Sequence, residues 1–401
     1  MLKLQGKTKN KTDSVMKDIS YIINHLGEDR EKYFNAITPP IFQTSNFTFR
    51  TVDDLKKAIA SEKENYIYSR GNNPTTDILC MKVAALEETE EALAFASGMA
   101  AISSAILSFV KSGDHIVCVR NNYSWTSILM TRFLPRFGIE TTFVDGRDPL
   151  NFENAVRKNT KLFYLESPNS LTFELQDIEA VASIARIHGI NTLIDNSYSS
   201  PLTQAPASMG IDIVLHSASK YLGGHSDVVA GMVCGSSENI TRIFNNEYLG
   251  LGGIISPFNA WLMLRGLRTL PARIDRISDT TMEVVHYLEK HPLVEEVLYP
   301  LSPRHPQYEL ACRQMLKPTG LFSVRLSVRD RGKIELFVNS LRHFLIGVSW
   351  GGYESLVFPA MSFDEGRTNE DYSGNLIRFY VGLDEADSLI NDIDQAFAKI
   401  S

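Results

Sequence analysis

Short apolar runs alternate with stretches of helical periodicity through the middle of the chain. Runs rich in β-branched residues predict strands at 116–119, 141–144, 162–166, 192–195, 213–216 and 229–234. The intervening apolar spacing predicts helices, most clearly at 73–87, 98–110 and 177–188. Strands that alternate with helices predict an α/β fold with a mostly parallel sheet covered on both faces. In such sheets the ligand binds at the carboxyl ends of the strands.

The two ends of the chain follow other patterns. An amphipathic stretch at 256–291 predicts a long helix. A smaller α/β unit is predicted behind it, with strands at 321–326, 345–348 and 377–381 and a last helix at 384–400. Near the start, Pro39 and Pro40 enforce extended backbone. We therefore expect an arm and irregular lead-in at 1–60, a large domain at 61–255 and a C-terminal domain at 256–401.

The composition narrows the class of protein. Of 401 residues, 44% are hydrophobic and 22% are charged, which is ordinary for a globular protein. The formal net charge of -7 argues against a nucleic-acid partner, because phosphate binding needs a basic surface. The apolar run at 98–110 is too short to span a bilayer, and the polar N-terminus lacks the apolar stretch of a secretory signal. A cytoplasmic protein without membrane contact is expected.

Four cysteines are spread widely and form no CxxC pair. They are Cys80, Cys118, Cys234 and Cys312. Their spacing suggests neither a metal site nor a redox motif, and free thiols suit a reducing cytoplasm.

Lys220 is the first candidate for chemistry. It follows the predicted strand at 213–216, comes after the hydroxyls of Ser217 and Ser219, and precedes Gly223-Gly224. A partly desolvated lysine at a strand exit favours the neutral amine and can form a Schiff base, and the two hydroxyls could donate to a phosphate. An ordinary surface lysine is the alternative.

Two further segments add an acid and an anion site. Asp195 ends an apolar strand, where it could pair with a protonated ring nitrogen or simply cap a turn. Ser97, Gly98 and Met99 open an apolar helix, and the free N–H groups at its start could bind an anion. A capped helix without a ligand would have the same pattern.

The remaining candidates are aromatic or cationic. Arg70 could bind a phosphate through two hydrogen bonds, and Tyr123 could stack on an aromatic cofactor. Arg378 interrupts an apolar strand, where either a substrate carboxylate or a structural acid could be its partner. Gly351 and Gly352 could let the backbone approach a ligand closely. Together these parts match what a pyridoxal 5′-phosphate (PLP) enzyme requires.

The same motifs resemble the PLP-dependent enzymes of cysteine and methionine metabolism, which have the aspartate-aminotransferase-like fold called PLP fold type I. The resemblance runs from about residue 39 to the C-terminus. Its carriers are 68–75, 97–101, Asp195-Asn196, 217–221, 256–270 and 376–378. The resemblance implies a mostly parallel sheet of seven strands and a smaller C-terminal α/β domain.

The resemblance also implies residue roles. Lys220 would carry PLP as a Schiff base and move protons, Asp195 would pair with the pyridine nitrogen, and Tyr123 would stack on the ring and take part in proton transfer. The phosphate would be held by Ser97, Gly98, Met99, Ser217 and Ser219. Tyr68 and Arg70 would complete the site of a neighbouring subunit, as expected for a homotetramer of two active dimers. The substrate would be bound by Arg378, Ser349, Trp350, Tyr248 and Tyr68.

Within the family, three features resemble the bacterial cystathionine β-lyase branch. They are Trp350 and Ser170, where γ-cleaving members usually carry Leu and Asn, and the segment Tyr248-Leu249-Gly250. Trp125 stands where methionine γ-lyases carry Cys, which argues against that activity. The expected reaction is β-cleavage of L-cystathionine to homocysteine, pyruvate and ammonia. A γ-lyase or γ-synthase, and a PLP-binding regulatory protein with little turnover, are the alternatives.

Overall fold

The computed structural model describes residues 18–363 and 374–401. Its larger sheet contains seven strands: β1 (Glu91–Phe95), β2 (His115–Val119), β3 (Glu140–Val144), β4 (Thr160–Glu166), β5 (Asn191–Asp195), β6 (Ile213–His216) and β7 (Gly231–Gly235). Their order is β1-β7-β6-β5-β4-β2-β3, and β7 runs antiparallel to both of its neighbours. The other pairings are parallel, so the predicted mostly parallel sheet is confirmed.

The α-helices cover this sheet and continue into the C-terminal half. They are α1 (Ile19–Asn24), α2 (Val52–Ala60), α3 (Pro74–Leu86), α4 (Gly98–Phe109), α5 (Ser124–Ile128), α6 (Leu150–Asn154), α7 (Ile178–His188), α8 (Ser237–Ile243), α9 (Leu249–Leu251), α10 (Pro257–Leu288), α11 (Tyr308–Gln314), α12 (Arg331–Ser340) and α13 (Ala386–Phe397). The sequence pattern predicted no helix in the first sixty residues, so α1 and α2 are additions to the expected lead-in.

Side-chain caps fix where the main helices begin. Ser97 accepts a hydrogen bond from the Ala100 N–H at the start of α4 (3.0 Å). Asp177 does the same at α7 and Ser256 at α10, where Pro257 supplies the first helical residue. These caps are local in sequence, and the predicted helix starts are accurate to within a residue or two as a result.

Alternate residues of each central strand enter opposite cores. Val117 and Val119 of β2 pack with α3, α7 and α10, whereas Ile116 and Cys118 of the same strand pack with α4 and α8. Burial of both faces explains the unbroken apolar runs in the sequence.

A second sheet lies beyond α10. Its strands are β8 (Val294–Leu298), β9 (Leu321–Leu326), β10 (Leu345–Ile346), β11 (Leu356–Pro359) and β12 (Leu376–Tyr380), in the order β10-β11-β12-β9-β8. The helices α10, α12 and α13 contribute to its core. A smaller α/β unit at the C-terminal end is therefore present, while the exact boundaries at 60/61 and 255/256 stay predictions.

The described part of the lead-in is tied to helix α3 through a buried charge. The ammonium of Lys82 on α3 donates to the carbonyl oxygens of Ile22 and Ile23 (2.9 Å each) and pairs with Glu28 (3.1 Å). Among the described helices, none combines the length and hydrophobicity needed to cross a bilayer.

Candidate active site

Four neighbouring strands of the large sheet, β2, β4, β5 and β6, end at one edge and bring residues at or after their ends together. Glu166 and Asp195 are the last residues of β4 and β5, and they are register partners. Tyr123 follows β2, which pairs with β4 on the other side. Lys220 follows β6, which pairs with β5. Because carboxyl ends of parallel strands form the ligand edge of such a sheet, this arrangement predicts a binding site there.

A cavity of about 290 Å³ occupies this edge. The predicted site residues that line it are Ser97, Gly98, Met99, Tyr123, Asp195, Ser217, Ser219, Lys220, Ser349 and Trp350. The structure thus brings these side chains together, although their individual roles stay predictions. Glu166, Ser170, Ser197 and Tyr198 also line the cavity.

The amine of Lys220 is held between a hydroxyl and an indole ring. Its Nζ donates to Ser349 Oγ (2.6 Å) and lies 4.4 Å from the centroid of the Trp350 ring. Burial, together with the positive charge of Arg378, lowers the pKa of Lys220 to about 8. Roughly a tenth of the amine is therefore neutral at pH 7, far more than for an ordinary lysine, and the neutral form is the one that a nucleophile or proton acceptor requires.

Gly351 supports this lysine from behind. Its φ is +86°, and a Cβ atom there would lie 2.7 Å from the carbonyl carbon of Lys220 and the nitrogen of Tyr221. The close approach that Gly351 permits is therefore to the backbone of Lys220 and Tyr221, while its predicted approach to a ligand stays a prediction.

We expect Gly351→Ala to lower the free energy of unfolding by about 2 to 5 kcal/mol, because left-handed backbone and overpacking both cost energy. Urea denaturation measures this. Gly250→Ala is the matched control, since a Cβ there meets nothing within 4 Å. Equal unfolding midpoints for the two variants would contradict the expected clash.

The start of α4 forms a concave anion site. A Cβ on Gly98 would lie 3.0 Å from the Ser217 side chain, so only glycine leaves room between the helix start and that serine. The first N–H groups of a helix lack intrahelical acceptors and attract anions. Ser219 lies at the same cavity, and its hydroxyl bonds to the backbone of Ala230. These residues fit a phosphate group.

Asp195 is held in place by Ser197, which the sequence did not single out. The Asp195 carboxylate accepts hydrogen bonds from Ser197 N (2.9 Å) and Ser197 Oγ (2.5 Å). The same hydroxyl accepts from Ser217 N (2.6 Å), which links the acid to the anion site. Burial raises the pKa values of Asp195 and Glu166, and for Glu166 the charge of Asp195 adds to the increase. A cationic ring nitrogen beside this pair would be stabilised.

Arg378 lies behind the cavity wall on β12. Its Nη1 donates to Ser170 O (3.1 Å) and its Nη2 to Val348 O (2.8 Å), and the guanidinium lies 5.2 Å from the Trp350 ring centroid. No ion pair between described residues includes Arg378, so the structural-acid alternative has no support there. Burial lowers the pKa of Arg378 to about 10, against the opposing effect of Glu166.

Besides Arg378, four predicted or discussed residues do not line this cavity. Tyr248 is buried in the core, where its hydroxyl donates to Ala94 O (3.1 Å) and its ring stacks on Phe244. Tyr248 therefore does not line this chain's own cavity, and its predicted substrate contact stays a prediction. Tyr68 and Arg70 contact each other, with Arg70 5.4 Å from the tyrosine ring centroid. Their action in a neighbouring subunit stays a prediction. Trp125 is exposed on α5 and does not line the cavity.

Sequence reasoning also missed Glu166 as a site residue. The available signal was its position as the last residue of a predicted strand, the same position that drew attention to Asp195. In the described parts of the chain, no cluster of His, Cys, Asp and Glu could hold a metal ion.

Comparison with known proteins agrees with this geometry. The model of the Cys/Met metabolism PLP-dependent enzymes matches residues 21–398. An L-methionine gamma-lyase of Treponema denticola is 38% identical over 94% of this chain and 96% of that protein. A cystathionine gamma-lyase of Bacillus subtilis is 37% identical over 94% and 98%, and an L-alanine/L-glutamate racemase of Wolbachia pipientis wMel is 35% identical over 96% and 98%.

Among solved structures, metB from Corynebacterium glutamicum superposes with a TM-score of 0.90 at 33% identity, covering 96% of this chain and 99% of that one. The family match over almost the whole chain and the structural match both indicate the same family and fold. The chain belongs to the Cys/Met metabolism PLP-dependent enzymes and has PLP fold type I.

Proposed function

We propose that this protein is a carbon–sulfur lyase that cleaves by β-elimination, with L-cystathionine as substrate. Water and cystathionine would give homocysteine, pyruvate and ammonia. The observation that carries the proposal is the position of Trp350, whose ring lies 4.4 Å from the Lys220 amine and 5.2 Å from the Arg378 guanidinium.

The residues that line the cavity fit the cofactor. Gly98, Met99, Ser217 and Ser219 would hold the phosphate, Asp195 would pair with the ring nitrogen and Tyr123 would cover the ring face. The indole N–H of Trp350 is buried without an acceptor in the described parts of the chain, which leaves a donor for a bound carboxylate. PLP supplies an electron sink for the negative charge that develops when the Cα proton leaves.

The side chains of this protein would do the rest. Arg378 and the Trp350 N–H bind the α-carboxylate and thereby fix which Cα bond faces the base. Lys220 Nζ takes the Cα proton, a role that its lowered pKa of about 8 suits. The Cβ–S bond then breaks, the leaving homocysteine thiolate takes the proton that Lys220 removed from Cα, and water converts the remaining three-carbon unit to pyruvate and ammonia.

Trp350 favours β over γ cleavage for a physical reason. In γ-cleavage the base must also remove a Cβ proton, so its amine has to move along the substrate. Here Ser349 binds the Lys220 amine at 2.6 Å and the indole flanks it, which restricts that movement. β-Cleavage needs the base at Cα alone.

The γ-lyase alternative has its own support. The similar proteins from Treponema denticola and Bacillus subtilis are named as γ-lyases. Those activities, and that of the named racemase, all begin with removal of the Cα proton. These activities therefore share their first step with the proposed reaction. The experiment has to determine which bond breaks afterwards.

Identification of the keto acid from L-cystathionine is the test. We expect pyruvate over 2-oxobutyrate by at least about tenfold, and we expect Trp350→Leu to reduce that ratio by about tenfold, within the range that pocket contacts contribute. Trp261→Leu on α10 is the matched control, because Trp261 does not line the cavity and its indole N–H donates to Pro39 O (3.0 Å).

Each outcome has a meaning. Predominant 2-oxobutyrate with cysteine would assign the protein to the γ branch. Bound PLP without either keto acid, and without turnover of cystine or cysteine, would favour the regulatory alternative. The cytoplasmic location and the tetramer of two active dimers stay predictions.

A further inference from the structure

Glu166 is a buried carboxylate in the cavity wall to which the proposed reaction assigns no task. We infer that Glu166 is a positioning residue that fixes the stacking ring of Tyr123 and, through Ser170, the carboxylate-binding Arg378. The inference rests on the proposed function, since it presumes PLP and an amino-acid substrate in this cavity.

The first step is the geometry at Glu166 itself. Its Oε2 accepts a hydrogen bond from Tyr123 N (2.6 Å), and its Oε1 accepts one from Ser170 N (3.0 Å). The residue is buried at the end of β4, so the carboxylate is anchored to the sheet. Two backbone segments that leave the sheet separately, after β2 and after β4, are thereby joined by one side chain.

The second step connects Ser170 to the substrate side. The Ser170 carbonyl oxygen accepts from Arg378 Nη1 (3.1 Å). Movement of the Ser170 peptide would therefore move an acceptor that orients the guanidinium. Arg378 comes from the second sheet, so this contact also sets the distance between the cofactor side and the substrate side of the cavity.

The third step explains why a carboxylate is needed. Two N–H donors require two acceptor oxygens, and the carboxyl group of Glu166 presents one oxygen to each donor. An amide offers one acceptor and turns its NH₂ group toward the other N–H. That donor would be left buried without a partner, and the segment carrying it would shift.

The experiment uses Glu166→Gln, Arg378→Lys and the double variant in the PLP-loaded protein. Glu140→Gln on β3 is the matched control, since Glu140 is exposed and pairs only at the surface with Arg157 (2.8 Å). The readouts are the PLP dissociation constant by equilibrium dialysis, the visible circular dichroism of bound PLP, and kcat and KM for cystathionine.

We expect Glu166→Gln to raise KM about 10- to 100-fold with a smaller change in kcat, as a buried N–H group left without an acceptor predicts. In the Arg378→Lys background the same substitution should raise KM by less than about threefold, because the effects of two residues that act through one another are non-additive. PLP should bind roughly 2- to 10-fold more weakly with reduced circular dichroism, because the Tyr123 ring is less fixed. Glu140→Gln should match the wild type.

Additive losses in the two backgrounds, or a Glu166→Gln variant that matches Glu140→Gln, would overturn the inference. If Glu166→Gln does not fold, Glu166→Asp takes its place. This variant keeps the carboxyl group but moves it away from its two N–H donors by one methylene. The comparison with the Arg378→Lys background is then repeated, and the same non-additivity is expected. Failure of the proposed function is separately visible, since it would appear as absent keto acid in the wild type.

Discussion

Lys220→Ala is expected to lower kcat for carbon–sulfur cleavage by at least about 10⁴-fold, because one residue supplies both the covalent attachment and the proton transfer. The proposed function makes the Lys220 amine the base, and this amine lies at the cavity between Ser349 Oγ at 2.6 Å and the Trp350 ring at 4.4 Å. Its pKa of about 8 makes it suited to accept a proton. Keto-acid formation under saturating PLP and cystathionine is the measurement.

The phosphate, ring-nitrogen and stacking residues remain in this variant, so noncovalent PLP binding should persist. Equilibrium dialysis should detect bound PLP, and the absorbance of the lysine-linked cofactor should be missing. Lys161→Ala is the control, since Lys161 is exposed at β4 and outside the cavity. Wild-type turnover by Lys220→Ala would refute the catalytic assignment of this lysine.

The strand ends that build the site were predictable because their strands are buried on both faces. Ile194 and Leu193 enter opposite cores, as do Val214 and Leu215. Such strands give continuous apolar runs, and the first polar residue after each run is easy to locate. Asp195 and the Lys220 segment were found in this way.

Strands with weaker composition were missed. β1 has the sequence Glu-Ala-Leu-Ala-Phe, which lacks β-branched residues and resembles a helix in propensity. It becomes a strand because it pairs with β7 over five residues. β8 carries two glutamates, and β11 ends in a proline. Pairing partners, which lie far away in the sequence, determine these elements.

Contacts between side chains that are far apart in the sequence could not be predicted from the sequence pattern either. The task of Glu166 depends on the neighbour order β2-β4-β5, which no local pattern contains. Tyr248 was expected at the substrate, but the Ala94 carbonyl on β1 occupies its hydroxyl. Because β1 was not recognised as a strand, that acceptor could not be foreseen.

Arg378→Ala is expected to lower kcat/KM for cystathionine by about 10² to 10³-fold, since truncation of a buried charge that binds a carboxylate typically has this effect. The guanidinium is buried among the Ser170 and Val348 carbonyls and the Trp350 ring, and no carboxylate of the described ion pairs neutralises it. A substrate carboxylate would provide the missing negative charge, and steady-state kinetics measures the loss.

A substrate analogue separates binding from structural support by Arg378. A cystathionine analogue amidated at the carboxyl group of its cysteine half lacks the negative charge that Arg378 would bind, so the wild type and Arg378→Ala should process it with similar kcat/KM, within about threefold. Arg329→Ala is the control variant, because Arg329 pairs with Glu295 at the surface (2.6 Å). If Arg378→Ala loses as much activity toward the carboxamide as toward the carboxylate, the arginine only supports its two backbone acceptors. Equal activity toward the carboxamide, with loss confined to the carboxylate, would identify the α-carboxylate as the partner that this buried cation requires.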